Sequence, residues 1–485
     1  MAKILFLNPN KWGRGITPIW IASHASVLKS RGHFVELFDC TFYEYWTNNE
    51  LKFNTKNKQY KESNYFDLVK FSKKNILKDL EKKINDFNPD IIFWSAISSH
   101  IHGEGEYVNL QYGYELLSKL KGKNFLLVAG GLQITSSPEL AYHNFPNIDY
   151  FISGESEFVL LDLANNFLNI EDLRKIDGLS YYDNKYQKFN INKKQKIIEC
   201  LDIIPKYDYS LFDKQVFYRP YNGKVLKAVD YELSRGCIYT CSYCVETVIQ
   251  KYYNFIDSTP RGALVKAKNY LRSKSAKRIF EELEYLSNEL NINLIRSQDT
   301  NFLTIDHKVL LELEELMLKK TLNISIYIET RPEGINEKTV KLLKNLKVDG
   351  VGMGVELAGA KFRKDSLNRF VEENKIIKAF KLLRENKIKR TSYNIIGLPD
   401  QDETSILETI RFNQLLQPDN VTVAFYTPYH GTPEQVKSFN KRYFTDNEKN
   451  LDAQLRTLSK SNLLSVDKLN YYKKNFVRLV RNEKK

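Results

Sequence analysis

Residues 232–247 read Glu-Leu-Ser-Arg-Gly-Cys-Ile-Tyr-Thr-Cys-Ser-Tyr-Cys-Val-Glu-Thr, and the reading of the whole chain turns on this stretch. Three of the five cysteines, Cys237, Cys241 and Cys244, fall within eight positions at a C-x3-C-x2-C spacing. One loop can therefore turn three thiolates toward a single metal centre. Structural zinc sites usually close with a fourth ligand, and Cys40 and Cys200 stand far away in sequence. An iron-sulfur cluster held by three thiolates instead keeps one iron open to a substrate or cofactor.

With Tyr243 as the aromatic residue, the pattern C-x3-C-x-aromatic-C resembles the radical S-adenosylmethionine (SAM) superfamily. The resemblance implies a 4Fe-4S cluster on Cys237, Cys241 and Cys244, which are then both metal ligands and catalytic machinery. It also implies SAM chelated at the open iron and cleaved by one electron to a 5'-deoxyadenosyl radical. A structural zinc site is the alternative that the cysteines alone leave.

A chain of 485 residues, 42% hydrophobic, is long enough for two or three domains with their own cores. Lys+Arg 73 against Asp+Glu 59 gives a net charge of +14. The charge is spread along the chain and no arginine-rich run concentrates it, so nucleic acid is not the expected partner. The first residues read as a short buried strand rather than a signal segment, and no apolar stretch reaches the roughly 18 residues of a membrane helix. These features predict a cytoplasmic protein without membrane partners, and cysteines grouped for metal suit a reducing compartment.

Before the cysteine loop, apolar runs at 3–8, 33–39, 90–95, 124–129 and 148–153 alternate with helix-length segments at 16–31, 75–87 and 107–121. Short apolar strands alternating with helices predict a doubly wound, Rossmann-like parallel sheet. Such a sheet binds ligands at the carboxyl ends of its strands, here 8–13, 95–97, 130–133 and 154–157. His24 and His33 lie in or beside predicted elements and read as structural. The stretch 40–71 is aromatic, polar and without period; it reads as an insertion that holds a short helix or covers a cofactor.

Ser95-x-Ile97, the Gly130-Gly131 run through Glu139, and Asp149 with Gly154-Glu155-Ser156-Glu157 together resemble the cobalamin-binding domain that precedes one large class of radical SAM enzymes. The resemblance implies a corrinoid bordered by Asn10, Ser95, Gly130, Gly131, Gly154 and Glu155. One departure bears on the cobalt. Where cobalamin domains with a histidine axial ligand carry D-x-H-x-x-G, this chain reads Asn8-Pro9-Asn10-Lys11-Trp12-Gly13. The glycine is kept and the histidine is not, so the cobalt is expected to lack a histidine from this loop, with Asn10 or Trp12 at its lower face. His100 and His102, after the Ser95 loop, are candidates to reach the corrin.

The stretch 176–191 reads as a hairpin with a polar turn, within a linker placed at 171–222. Beyond it, strands are expected at 225–234, 292–297, 323–330, 350–356, 391–397 and 420–426. Ile279, Leu283, Leu286 and Leu290 mark one face of a helix between the first two. Asp306 and Asn336 are N-cap candidates for the helices that follow. Six strand-helix units are too few for a closed eight-fold barrel and fit the partial (β/α)6 barrel of the radical SAM fold. The expected domains are a cobalamin-binding domain at 1–170, the linker, a radical SAM core at 223–432 and a helical region at 433–485, with helices at 451–464 and 466–479.

By the same resemblance, Asp299 stands near the methionine end of SAM, Glu356 meets its ribose, and Gly397 passes beside its adenine. Glu329 and Arg331 complete the set of SAM contacts, with a local Glu329–Arg331 ion pair as the plainer reading. His430 in the loop 427–432 faces the substrate or caps the barrel. The expected function is a cobalamin-dependent radical SAM methyltransferase acting on an unactivated carbon or on phosphorus. A cyclase or rearrangement enzyme with the same cofactors is the alternative, and a nucleic-acid-modifying or non-catalytic iron-sulfur protein a further one. The expected partners are a small-molecule substrate and a one-electron reductant such as a flavodoxin or ferredoxin.

Overall fold

A computed structural model of the chain describes residues 1–48, 50–95, 110–120, 124–256, 269–426, 429–440 and 463–482. His100, His102, Ile97, Thr427 and Pro428 lie outside the described residues, as does most of the helix expected at 451–464. The chain divides into two compact units, the first comprising Met1–Glu50, Phe66–Tyr218 and Val248–Phe255, the second Leu51–Tyr65, Arg219–Thr247 and Ile256–Lys485.

In the first unit the strands are β1 (Lys3–Asn8), β2 (Phe34–Asp39), β3 (Ile91–Ser95), β4 (Leu126–Gly130), β5 (Tyr150–Ile152), β6 (Leu179–Asp183) and β7 (Lys188–Ile191). They form one sheet in the order β2-β1-β3-β4-β5-β6-β7. The pairs from β2 through β5 are parallel, and β6 and β7 add an antiparallel edge. The order 2-1-3-4-5 is doubly wound and places its topological switch point between β1 and β3, where such sheets bind ligands. The expected fold is therefore observed. The helix expected from residue 16 starts at Ile19, because Pro18 occupies the N-cap position. The hairpin β6–β7 extends the first sheet by pairing with β5, Phe151 to Ser180 and Ile152 to Leu179.

The second unit carries β8 (Tyr218–Tyr221, its first residue at the junction), β9 (Lys224–Tyr231), a short ribbon of β10 (Ser234–Arg235) with β11 (Arg272–Ser273), then β12 (Leu294–Ser297), β13 (Ser325–Thr330), β14 (Val348–Glu356), β15 (Lys389–Ile396) and β16 (Asn420–Phe425). The main sheet runs in sequence order from β9 through β12 to β16, with β8 at its edge. All five pairs from β9 to β16 are parallel, which gives a partial barrel. Asn222 and Gly223, at φ 51° and 82°, make the tight hairpin turn between β8 and β9. Asp306 and Asn336 cap their helices as the sequence predicts, Asn336 in a capping box with Thr339.

The stretch 40–71 holds helix Glu50–Lys56 and the single turn Tyr65–Leu68. Its middle part, Leu51–Tyr65, belongs to the second unit. There the side-chain Oε1 of Gln59 accepts from the backbone N–H of Val423 at 3.2 Å, satisfying a donor on the edge strand β16.

Candidate functional site

The cysteine loop leaves the carboxyl end of β9, where a barrel keeps its chemistry. Gly236 starts the loop at φ 95°, and a Cβ there would lie 2.5 Å from the Tyr270 carbonyl oxygen, so only glycine fits. Cys237 and Cys241 are buried and Cys244 is partly buried. Burial pushes the Cys237 thiol up to about 12 and the Cys244 thiol well above its ordinary value. Such burial disfavours bare thiolates, which a cationic centre would stabilise.

Neighbouring elements hold the loop from both sides. Asn368, left-handed at φ 50°, donates its amide to the Thr240 carbonyl at 2.8 Å and to the Thr240 hydroxyl at 3.0 Å. The Ser242 N–H and hydroxyl donate to the Leu367 and Ser366 carbonyls at 3.0 and 2.7 Å. On the other side Glu434 donates its backbone N–H to the Ser242 carbonyl at 3.0 Å. The Tyr243 hydroxyl donates to Glu356 Oε1 at 2.8 Å, and Arg369 Nη1 stands 3.3 Å from the same oxygen. Arg369 Nη2 also donates to the Gly354 carbonyl at 2.6 Å. Glu356 adopts φ 62°, an uncommon conformation for a residue with a Cβ, at an irregularity between β14 and β15.

Arg331 reaches the loop directly. Its Nη1 donates to Cys241 Sγ at 3.3 Å, and its guanidinium stacks 3.9 Å from the centre of the Tyr239 ring. Nε and Nη2 both donate to Glu333 Oε1, at 3.0 and 2.5 Å. Burial opposes the Glu333 charge, yet Arg331 and Arg369 hold its carboxyl below the usual range. Arg331 thus pairs with Glu333 rather than with Glu329, the partner that the sequence offered. Glu329 lies in the lumen, where the Tyr393 hydroxyl donates to it at 2.8 Å and itself stands 2.7 Å from the Tyr327 hydroxyl.

Asp299 is engaged elsewhere. Its carboxylate accepts from the N–H groups of Leu233 and Ser234 and from the hydroxyls of Ser234 and Ser297, at 2.5 to 3.2 Å. It fastens the start of the cysteine loop to β12. Gly397, at φ 80°, donates its N–H to the side-chain Oε1 of Gln401 at 2.7 Å. The structure therefore brings Arg331 onto Cys241 and Glu356 onto Tyr243, with Cys237 and Cys244 on the same loop. Arg369, Glu333, Asn368 and Glu434 belong to the same surroundings, and no motif marked them.

In the first unit, Asn10 is fully buried and turned into its own loop. Its amide donates to the Arg14 carbonyl and the Thr41 hydroxyl at 3.0 and 2.9 Å, and its carbonyl accepts from the Trp12 N–H at 2.8 Å. Ser95 and Gly130 end β3 and β4 side by side in register. Gly131 adopts φ 115° and ψ −170°, a conformation essentially reserved for glycine. Two buried acceptors near these strand ends, Asn8 Oδ1 and Gln133 Oε1, have no hydrogen-bond partner among the described residues, as expected of groups that meet a ligand. Gly154 and Glu155 are covered instead. A Cβ on Gly154 would lie 2.4 Å from the Tyr253 hydroxyl oxygen, and Glu155 Oε2 accepts from the Ile198 N–H at 2.8 Å.

Residues 231–412 match the sequence profile of the Radical SAM superfamily. The chain carries a radical SAM domain. An uncharacterized methyltransferase of Pyrococcus horikoshii is 27% identical over 356 residues, covering 73% of this chain and 70% of that protein. The anaerobic magnesium-protoporphyrin IX monomethyl ester cyclase of Cereibacter sphaeroides is 26% identical over 462 residues, 90% of this chain and 65% of the cyclase. Among solved structures, the radical SAM methyltransferase TsrM of Kitasatospora setae, with tryptophan and a SAM analogue bound, superposes with a TM-score of 0.67 at 15% identity, over 91% of this chain and 76% of TsrM. The cobalamin-dependent radical enzyme OxsB superposes with a TM-score of 0.64 at 16% identity, over 94% of this chain and 64% of OxsB. The fold of the chain is thus shared with enzymes whose structures hold cobalamin. Among the described residues no helix is long and apolar enough to cross a membrane.

The thiol set suits a cluster. Three thiols on one short loop, two buried and one partly buried, are the donor set that a cluster with one open iron takes.

Proposed function

We propose that the chain is a cobalamin-dependent radical SAM methyltransferase acting on an unactivated carbon or on phosphorus of a small molecule, with electrons from an external one-electron reductant. The observation that carries this reading is the presence, in one chain, of a doubly wound sheet with orphaned acceptors at its ligand end and a partial barrel with a buried three-cysteine loop. When bound, the cluster supplies the electron that cleaves SAM to a 5'-deoxyadenosyl radical, and the corrinoid supplies the methyl group. The chain's own part is positioning and exclusion of water. Cys237, Cys241 and Cys244 would hold three irons. Tyr243, Glu356 and Arg369 form a hydrogen-bonded clamp that fixes the loop against β14 and leaves a carboxylate to accept from hydroxyl or ammonium donors of SAM. Asn368 and Glu434 keep the loop from opening.

The cyclase reading has one specific support, the cyclase relative aligned over 90% of this chain. Anaerobic reconstitution with iron, sulfide and cobalamin, followed by SAM and reductant, tests both. The expected outcome is 5'-deoxyadenosine release that is lost when Cys237, Cys241 and Cys244 are replaced by alanine. Product carrying label from methyl-labelled SAM supports the methyltransferase, and unlabelled cyclised product supports the alternative. Release of 5'-deoxyadenosine by the alanine variant overturns the mechanism.

A further inference from the structure

The contact between Arg331 and Cys241 bears on a property of the cluster rather than of SAM. Three donors of the guanidinium are already committed, Nε and Nη2 to Glu333 and Nη1 to the Cys241 sulfur, and one of its faces lies on Tyr239. The residue starts the single turn Pro332–Gly334, and its own N–H is fixed on Asn301 Oδ1 at 3.3 Å. The side chain is nearly buried, with 9% of its surface exposed. A group so committed is poorly placed to swing toward the carboxylate of a bound cosubstrate. It is well placed to hold a positive charge and an N–H donor against one sulfur ligand.

On this basis we propose that Arg331 is a redox-tuning residue, which raises the reduction potential of the cluster by donating to Cys241, with Glu333 as the counter-charge that limits the effect. The proposal rests on the cluster assignment made above. Hydrogen bonds and positive charge beside a sulfur ligand stabilise the reduced cluster, which carries one more negative charge. The two side chains are therefore expected to act with opposite sign. Removing Arg331 makes the cluster harder to reduce, and neutralising Glu333 makes it easier.

The test is a potentiometric titration of the reconstituted, SAM-free protein, followed by the electron paramagnetic resonance signal of the reduced cluster. Arg331→Met is expected to lower the reduced-to-oxidised ratio at a fixed potential roughly tenfold, about 59 mV for a one-electron couple. Glu333→Gln is expected to raise the ratio. Arg331→Lys, which keeps the charge but not the planar fork, is expected to fall between wild type and Arg331→Met. If Arg331→Met assembles a cluster of unchanged potential but binds SAM more weakly, Arg331 is a SAM clamp and the proposal is overturned. If Arg331→Met does not assemble, an unchanged potential in both Glu333→Gln and Arg331→Lys overturns it. A wild-type chain that binds no cluster, by iron content and absorption, overturns the functional reading itself, a result distinct from the others.

Discussion

Asp299 illustrates how burial fixes the role of a single carboxylate. It is fully buried and accepts only from uncharged donors, so desolvation raises its pKa from 3.8 to about 6 despite four hydrogen-bonding groups. The folded chain thus holds this proton more tightly than the unfolded chain. The resulting stabilisation is complete below pH 3.8 and is lost as pH rises through about 6. Wild-type unfolding free energy is expected to lose roughly 1 to 1.5 kcal/mol from this group between pH 5 and pH 7, estimated from about 1.4 kcal/mol per pKa unit. Asp299→Asn, although less stable because it offers fewer acceptors, should lack that slope. Denaturant unfolding of both proteins across this range checks it, and parallel slopes would remove Asp299 as the source. Gly352 shows the same economy of space in the lumen. A Cβ there would lie 2.5 Å from a Tyr393 ring carbon and 2.7 Å from the Tyr327 hydroxyl oxygen. Gly352→Ala should therefore cost roughly 1 to 3 kcal/mol by overpacking, read as a lower denaturant midpoint.

At the scale of elements, helix Val466–Val480 covers the far edge of the barrel. Its fully buried Phe476 packs in a cluster with Ile406, Ile410, Val421 and Phe425. Phe476→Ala should destabilise the second unit by about 3 to 5 kcal/mol, while the iron content of the protein that remains folded stays at the wild-type level. This helix was legible from its apolar spacing, as were the six parallel barrel strands, because a strand buried on both faces must be an apolar run. The cluster loop was legible because its chemistry is local in sequence. Arg369 was not, since it reaches Glu356 only through the left-handed turn at Asn368. Nor was the pairing of Arg331, because sequence distance does not distinguish Glu329 from Glu333, each two residues away. The course of the insertion was equally hidden. Nothing in 51–65 announces that Gln59 will satisfy an edge-strand donor on Val423, a contact 364 residues apart.

At the scale of the whole molecule, the two cofactor readings rest on different units, and this separation can be tested. The residues proposed to meet the corrinoid, with the orphaned acceptors Asn8 and Gln133 and the glycine-only Gly131, lie in the first unit, whereas all three cysteines lie in the second. Corrinoid binding should therefore survive loss of the cluster ligands. The triple cysteine-to-alanine chain is expected to bind cobalamin like wild type and to gain thermal stability from it, since a ligand at about 100 times its dissociation constant stabilises the folded state by about 2.7 kcal/mol. Gly131→Ala should do the reverse. A Cβ at φ 115° strains the turn after β4, so corrinoid affinity should fall while the iron content after reconstitution is unchanged. Equilibrium dialysis with cobalamin and iron analysis on the same samples separate the two effects. Loss of both cofactors from either variant would mean that the sites are built together, and the assignment of the corrinoid to the first unit alone would have to be given up.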